Sequence, residues 1–358
     1  MKLGSRIQAA ALAGAGLLLV LLWAPRSGKT ADSGVTIERK DARLDALIPK
    51  DAQVERIVDG HDWVEGPLWD RTTGSLLFSD IPRNSIYRWK QQGGIALFLK
   101  PSGYTGSAPF LGPEPGSNGL LFDREGRLIL CEHGDRRIAR LESDGSKTTL
   151  VDRYQGRRLN SPNDAAFKSS GELYFTDPPF GLPKSFDDPG RELDFCGVYR
   201  WSPEGLTLLT RELAAPNGIA FSPDEGTLYL SNADPKRPVV LAFEVKPAGT
   251  LGVSRVLFDA TPFLRRWPGG PDGLKVDRHG NLFAAGPGGI HVFAPDGTPR
   301  QPDHRQRHRQ LRLGRGRLDP VHHFGSFGLS HPPHHPRLVT RRRAKPDPKK
   351  RARAGESS

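Results

Sequence analysis

The 358-residue sequence predicts an all-β fold of the β-propeller class, in which one small sheet is repeated around a central axis. The first observation is a repeat. Five times, a Glu, Asn or Asp stands eight or nine residues ahead of a Gly that opens a short apolar run. These pairs are Glu65 and Gly74, Asn118 and Gly126, Asn163 and Gly171, Asn217 and Gly226, and Asp272 and Gly280. The Gly positions are 52, 45, 55 and 54 residues apart, a period typical of propeller blades.

Each repeat also contains the pattern of antiparallel strands. A short first strand follows the polar residue, as in 217–221 and 272–276. A turn rich in Asp and Gly comes next, and it is a strong hairpin signal. Apolar second strands are predicted at 76–80, 128–132, 173–177, 228–232 and 282–285, and third strands at 85–89, 137–141, 197–201 and 289–293. No helical apolar period competes with this pattern after residue 50, so the body is predicted to be all-β.

The charge distribution argues against a nucleic-acid-binding protein. The net charge of +12 comes from 52 basic and 40 acidic residues, and 16 of the basic but only 4 of the acidic residues lie in 299–358. Residues 1–298 therefore carry 36 of each sign and are neutral. The two cysteines, Cys131 and Cys196, fit neither a zinc site nor a disulfide scaffold, and the sequence leaves open whether they pair.

The N-terminus has the pattern of a bacterial export signal. Lys2 and Arg6 precede an apolar stretch over residues 7–24, which is slightly long for a signal peptide and close to the lower limit for a membrane span. We expect residues 1–29 to be either a cleaved signal peptide or a retained inner-membrane anchor, and the protein to be periplasmic or secreted. The polar stretch 30–49 is predicted to be a linker and 50–298 to be the propeller.

The repeated polar residues predict a single site. The first strand of each blade lines the central channel, so a polar residue at its start is carried to the channel rim. Asn-Gly and Asp-Gly are also ordinary turn dipeptides, and any one of them alone is more often a turn. Their recurrence at one register favours a site in which five oxygen-bearing side chains meet, and this is the outline of a metal site.

At these same positions the sequence resembles the senescence marker protein, gluconolactonase and luciferin-regenerating enzyme family. The similar segments are WVEGPLWD (63–70), LNSPNDAAF (159–167), LYFTDPPFGL (173–182), APNGIAFSPD (215–224) and GGPDGLKVD (269–277), and the segment 117–140 resembles the bacterial gluconolactonase branch. The resemblance covers roughly residues 50 to 298. It implies a six-bladed propeller with one divalent cation in the channel, most often Ca²⁺, with Mg²⁺, Mn²⁺ or Zn²⁺ as alternatives.

The resemblance also implies roles for individual residues. Glu65, Asn163, Asn217 and Asp272 match the metal ligands, and Asp272 matches the residue that acts as acid or base. The chemistry is consistent, because carboxylates plus amide carbonyls form an all-oxygen set that suits a hard cation. Such an ion would polarise a lactone carbonyl and activate water, and Asp272 would take the proton as the ring opens to a hydroxy acid.

Weaker candidates and rival functions remain open at this point. Asn118 and Asn160 are candidates for contacts with sugar hydroxyls, and His133 and Asp177 are expected near the same face; each has a structural role as its alternative. The expected partner is a small lactone, and the oligomeric state is not predicted. The same site would also serve a phosphotriesterase or aryl-esterase, and a propeller that only binds its ligand is the alternative outside the enzymes.

The pattern stops after Gly297, where a basic stretch rich in Arg, His and Pro replaces the sixth blade. We predict that 299–358 is a disordered tail produced by a reading-frame shift, which leaves the last blade incomplete. One codon choice for residues 309–324, read one base later, encodes Asn-Cys, a Gly and a Leu-Tyr-Ile strand, as a sixth repeat would. A natural basic extension is the alternative. Gene sequencing that finds no single-base insertion or deletion near codons 297–300 would refute the frame shift.

Overall fold

A computed structural model of the chain describes residues 35–39, 42–295 and 311–315. Within these ranges the regular structure is almost entirely strand. It includes five antiparallel sheets that succeed one another along the chain, four of them with four strands and the last with three. In each sheet, strands consecutive in the chain are hydrogen-bonded neighbours. The prediction of an all-β propeller is confirmed.

The strands are numbered along the chain, beginning with β1 (Val35–Arg39). Blade 1 comprises β2 (Val64–Asp70), β3 (Ser75–Asp80), β4 (Ser85–Lys90) and β5 (Gly94–Leu99). Blade 2 comprises β6 (Ser117–Phe122), β7 (Leu128–Glu132), β8 (Arg137–Leu141) and β9 (Lys147–Val151). The hairpin of β10 (Arg153–Tyr154) and β11 (Arg157–Arg158) leads to blade 3, which comprises β12 (Ala165–Phe167), β13 (Leu173–Asp177), β14 (Gly197–Ser202) and β15 (Gly205–Thr210).

Blade 4 comprises β16 (Pro216–Phe221), β17 (Thr227–Asn232), β18 (Val239–Val245) and β19 (Leu251–Asp259). Blade 5 comprises β20 (Leu274–Val276), β21 (Leu282–Gly286) and β22 (Gly289–Phe293), and the last described strand is β23 (Leu311–Arg315). The described helical elements are short: 3-10 helices at Ala42–Ala46 and Ser185–Asp187, and α1 at Thr261–Leu264. None of the helices in the described ranges is long and apolar enough to cross a bilayer.

The core lies between neighbouring blades. The second strands are the most buried elements, and every residue of β7, β13 and β21 is buried. Ile129 of blade 2 packs in one cluster with Phe175 and Tyr199 of blade 3, and Tyr229 of blade 4 packs with Leu274 of blade 5. A strand covered on both faces reads as a continuous apolar run, which is why these strands give the clearest signal in the sequence.

The order of the strands determines where a site can form. The inner strands contact one another in chain order, β2 with β6, β6 with β12, β12 with β16, and β16 with β20. Because each sheet is an antiparallel meander, the first strand begins at the same end at which the second strand finishes. The starts of the inner strands, the loops between second and third strands, and the loops that join blades therefore share one face.

The prediction of six blades is wrong for the residues that the structure describes, which form five blade sheets. The repeat in the sequence ends with blade 5, and blade 5 has three strands. β23 lies beside β22, but its hydrogen-bonded partner is β1, with which it forms a separate two-stranded antiparallel sheet. The segment 53–58, which precedes the first strand of blade 1, has no regular secondary structure and adds no strand to blade 5.

The described part of the segment 30–49 differs from a simple linker. It contains β1 and a 3-10 helix, and Leu44 and Ile48 are buried against Phe283, Ile290 and Val292 of blade 5. Apolar residues in this otherwise polar stretch thus cover the face of the last blade. Of the predicted tail 299–358 the described part is β23, and the predicted signal or anchor 1–29 lies outside the described residues.

Candidate active site

The five repeated polar residues meet at one small cavity. A cavity of about 20 Å³ is lined by Glu65, Asn118, Asn163, Asn217 and Asp272, one residue from each blade. A space of this size holds about one water molecule or one ion. Glu65, Asn163, Asn217 and Asp272 are only 3–8% exposed. The five residues therefore line one common cavity, as predicted, whereas their roles stay predictions.

A β-bulge lies at or directly beside each of these residues. In blade 4 the register shifts between Pro216 and Ile219, so that Asn217 and Gly218 together oppose Ser231. In blade 2, Asn118 and Gly119 oppose Cys131 in the same way, whereas in blade 1 Glu65 still pairs with Ser79 and the bulge follows at Gly66 and Pro67. A bulge leaves one residue outside the ladder and turns the strand, which re-aims its side chain. The polar residue of blades 2 and 4 therefore belongs to the bulge itself, and that of blade 1 directly precedes the bulge.

Blades 3 and 5 form the same bulge just before their first regular strand. Thr176 accepts a hydrogen bond from Asn163 N–H (2.9 Å) and donates one to Asp164 C=O (3.0 Å) through its backbone. Ala285 accepts from Asp272 N–H (3.0 Å) and donates to Gly273 C=O (3.0 Å). Two residues again oppose one, so β12 and β20 begin later than the sequence pattern predicts.

Glycine follows the polar residue where neighbouring blades approach closely. A Cβ atom at Gly66, whose φ is +57°, would lie 2.1 Å from the carbonyl oxygen of Asn118 in the next blade. A Cβ atom at Gly218 would lie 2.4 Å from the carbonyl oxygen of Asp272. No side chain fits in either place. The Glu-Gly and Asn-Gly pairs therefore hold adjacent inner strands close enough for their polar residues to meet.

The cavity concentrates negative charge. Burial raises the pKa of the Glu65 carboxyl well above its usual range, and the negative charges of Asp272 and Glu114 raise that pKa further. A hydrogen bond with the Trp63 side chain offsets part of the effect. Two buried carboxylates that repel each other favour either a bound proton or a bound cation. The electrostatics of this site thus suit a positively charged ligand.

Asp164 is a cavity residue to which the sequence analysis gave no role. It lines the cavity, is 8% exposed, and accepts hydrogen bonds from Ala165 N–H (3.0 Å) and Ile219 N–H (3.3 Å) of the next blade. The other four blades have Gly at this position, so the Asn-Asp pair was the signal that could have revealed it. Lys275, which also lines the cavity, was missed as well.

His133 does not line the cavity but belongs to a buried pair beside it. Its Nδ1 lies 2.9 Å from Oε2 of Glu114, a hydrogen-bonding distance, although the two groups are not aligned as a hydrogen bond. A Cβ atom at Gly181 would lie 2.4 Å from Cβ of His133, so the segment 178–194 packs directly on this histidine. Glu114, the carboxylate of this pair, is near enough to raise the pKa of Glu65.

Asn160 and Asp177 also lie outside the cavity lining, and they bind each other. The side-chain amide of Asn160 donates to the carbonyl oxygens of Asp177 (3.0 Å) and Phe195 (2.9 Å). The backbone N–H of Asn160 donates to Oδ2 of Asp177 (2.8 Å), and burial raises the pKa of Asp177 to about 7. These contacts hold both ends of the segment 178–194 in place. They therefore favour a structural role for Asn160 and Asp177 rather than a contact with substrate.

The donor set fits a hard divalent cation. In the described part of the chain, no cluster of three or more His, Cys, Asp and Glu side chains could hold a metal by itself. An ion in the channel would therefore take amide oxygens along with the carboxylates of Glu65 and Asp272. Oxygen donors of this kind suit Ca²⁺ or Mg²⁺ better than zinc. Cys131 and Cys196 are both free and buried, and neither lines the cavity.

Together, the fold and this cavity define a β-propeller in which every blade contributes one polar side chain to a single channel site. Residues 63–301 match the model of the SMP-30/Gluconolactonase/LRE-like region, and the chain belongs to this family, as the resemblance predicted. The chain is 41% identical over 268 residues to a gluconolactonase of Zymomonas mobilis subsp. mobilis, an alignment that covers 73% of this chain and 75% of that protein.

Solved structures show the same relationship. A gluconolactonase from Xanthomonas campestris matches with a TM-score of 0.63 and 33% identity, over 78% of this chain and 84% of that chain. Regucalcin from Agrobacterium tumefaciens, described as a calcium-binding protein, matches with a TM-score of 0.52 and 19% identity, over 68% and 74% of the two chains. The second likeness shows the fold alone.

Proposed function

We propose that this chain is a metal-dependent lactonase that opens a gluconolactone-like sugar lactone to its hydroxy acid. The observation that carries the proposal is the meeting of Glu65, Asn163, Asn217 and Asp272 at one buried cavity, in a chain 41% identical to a gluconolactonase. A purely structural role for these residues would not require all of them to line one common cavity.

The four residues would hold one divalent cation, for which Ca²⁺ is the first choice. The carboxylates of Glu65 and Asp272 balance the formal charge of a dication. The amide oxygens of Asn163 and Asn217 add ligands without adding charge. When bound, the ion would supply Lewis-acid polarisation of the ester carbonyl. Asn118, at the edge of the same cavity, would be placed to contact a sugar hydroxyl.

Asp272 would act as the general base. Its carboxylate takes a proton from the water that attacks the ester carbon, the ring C–O bond breaks, and the proton passes to the ring oxygen as the hydroxy acid leaves. A positioned base typically contributes about 10²–10⁴-fold to the rate. The carbonyl oxygen of Asp272 accepts a hydrogen bond from the Ser231 hydroxyl (2.7 Å), which holds the backbone of this residue in place.

The test is a substrate panel with a matched pair of variants. Sugar, acyl-homoserine and aromatic lactones, a phosphotriester and an aryl ester are assayed with Ca²⁺, Mg²⁺, Mn²⁺ and Zn²⁺. We expect sugar lactones to be hydrolysed fastest, and chelation to abolish turnover. Asp272→Asn is expected to keep measurable calcium binding and to lose at least about 10²-fold in kcat. Asp224→Asn, which removes the same charge from an exposed turn, should leave kcat unchanged.

Three results would overturn the proposal. Turnover that persists after chelation would exclude the metal-dependent reaction. Phosphotriester hydrolysis that exceeds lactone hydrolysis would favour the alternative esterase. Calcium binding without turnover of any substrate in the panel would favour a propeller that only binds its ligand.

We further propose that the protein is exported from a bacterial cytoplasm through the apolar stretch 7–24. Cell fractionation with N-terminal sequencing of the purified protein distinguishes the forms. A soluble periplasmic protein that lacks the first 20–30 residues or so indicates a cleaved signal. An intact protein in the membrane fraction indicates an anchor, and an intact protein in the cytoplasm contradicts export.

A further inference from the structure

One position on the second strand of each blade lies opposite the polar residue of the inner strand. Blades 1, 3 and 4 have a hydroxyl there, on Ser79, Thr176 and Ser231, and all three residues are fully buried. Blade 2 has Cys131 at this position and blade 5 has Ala285. Buried hydroxyls need hydrogen-bond partners, and the partners of these three lie in the neighbouring blade.

The hydroxyls of blades 3 and 4 make the same pair of contacts. Ser231 Oγ accepts the N–H of Gly218 in its own blade (2.7 Å) and donates to the carbonyl of Asp272 in the next blade (2.7 Å). Thr176 Oγ1 accepts the N–H of Asp164 (3.2 Å) and donates to the carbonyl of Asn217 (2.7 Å). Each hydroxyl therefore joins the bulge of one blade to the proposed metal ligand of the next.

These bonds form one continuous chain through the peptide groups of the proposed ligands. The peptide group between Asn217 and Gly218 accepts from Thr176 with its carbonyl and donates to Ser231 with its N–H. The peptide group between Asn163 and Asp164 is the preceding member of this hydrogen-bond chain, because its N–H donates to the Thr176 hydroxyl. A hydrogen-bond chain of this kind polarises its members cooperatively and fixes their relative positions.

We propose that Thr176 and Ser231 are positioning residues, which fix the backbone of Asn217 and Asp272 so that their side-chain oxygens converge on one cation. The inference rests on the proposed metal-dependent function. The two hydroxyls do not line the cavity, and they act by holding ligands that belong to another blade. Removal of either hydroxyl takes a hydrogen-bond partner from one buried N–H and one buried carbonyl. The backbone of the proposed metal ligand in the next blade is then no longer held by this bond.

The experiment measures calcium affinity by calorimetry on metal-stripped protein, with kcat as a second measurement. Thr176→Val removes the hydroxyl and keeps the shape of the side chain. Ser231→Ala removes the hydroxyl at the second position. Loss of an outer contact to a metal ligand typically weakens binding about 10–100-fold, and we expect at least about a tenfold increase in Kd for each variant. Thr176→Ser, which keeps the hydroxyl, should bind calcium nearly as the wild type does.

Ser79→Ala is the matched control. Ser79 is equally buried and pairs with Glu65 through its backbone, but its hydroxyl donates to the carbonyl of Asn118 (2.9 Å), which is not among the proposed metal ligands. Its loss should lower the midpoint of thermal unfolding by a similar amount but change the Kd for calcium less than about threefold, well below the outer-contact range. Should Ser231→Ala fail to fold, Ser231→Cys copies the residue that blade 2 carries at this position.

The outcomes separate this proposal from the proposed function. Folded Thr176→Val and Ser231→Ala proteins with wild-type calcium affinity would overturn the positioning role and leave the lactonase proposal standing. An equal loss of affinity in Ser79→Ala would show a general effect of packing and would also overturn the role. A wild-type protein that binds no divalent cation would overturn the metal proposal itself, and the positioning role with it.

Discussion

Gly218→Ala is expected to weaken both calcium binding and lactone hydrolysis, although the substitution adds a single methyl group outside the cavity. The new Cβ would lie 2.4 Å from the carbonyl oxygen of Asp272, 2.8 Å from the N atom of Leu274 and 2.9 Å from the C atom of Gly273. All three are backbone atoms of the next inner strand, so no side chain can rotate away to make room.

The size of the effect follows from these distances. Ordinary contact for a Cβ atom begins at 3.4 Å, so the Asp272 carbonyl must move by about 1 Å. A misplacement of about 1 Å in a catalytic group costs on the order of 10²-fold in rate. Overpacking also lowers the free energy of unfolding by about 1–3 kcal/mol. We therefore expect a folded protein with kcat/KM reduced about 10²-fold and a weaker affinity for calcium.

The assay compares initial rates of gluconolactone hydrolysis, followed by acid release, with calorimetric calcium binding. Gly226→Ala is the control, because it lies in the same blade and the nearest atoms to its Cβ would be those of the Asp224 carboxylate, at an ordinary contact distance of 3.5–3.6 Å. That variant should retain wild-type rates and affinity. A folded Gly218→Ala protein with kcat/KM and calcium Kd within about twofold of the wild type would refute the idea that close blade contact places Asp272.

Three further predictions concern protonation and thiols. Burial raises the pKa of Asp177 from 3.8 to about 7 in the folded protein, so the free energy of unfolding should fall by up to about 4 kcal/mol as pH rises from 4 to 7. Urea unfolding at both pH values should show this loss in the wild type and not in Asp177→Asn. Because burial and the charge of Asp272 raise the pKa of Glu65, calcium binding should release a proton and should weaken as pH falls. Calorimetry in two buffers of different ionisation enthalpy measures the number of protons released, and a Glu65→Gln protein that released as many protons as the wild type would contradict this prediction. Cys131 and Cys196 are free and buried, so a thiol reagent should label neither in the native protein and both after unfolding, whereas a disulfide would give no labelling in either state.

Much of the fold could be predicted because the inner strands of each blade have clear apolar patterns in the sequence. Second strands such as β7 and β13 are buried along their whole length, and they read as apolar runs. The fourth strands were missed. The outer strands β5 and β19 are largely exposed, so their residues show no alternation that separates them from loops.

The convergence of the site was predictable because one register recurs in every blade. The part that could not be predicted depends on three-dimensional proximity. The hydroxyls of Thr176 and Ser231 contact residues 41 positions later in the chain, and nothing in the local pattern distinguishes them from other strand residues. The number of blades came from resemblance to a family, and the sequence after Gly297 departs from the pattern on which that number depends.

The most direct test of the account is a crystal structure of the protein with calcium, with the ion located by its anomalous scattering. We expect one site at the channel cavity, with oxygens of Glu65, Asn163, Asn217 and Asp272 at about 2.3–2.6 Å from the ion. Calcium that binds with one-to-one stoichiometry but lies elsewhere, or that leaves two or more of these side chains uncoordinated, would contradict the central claim.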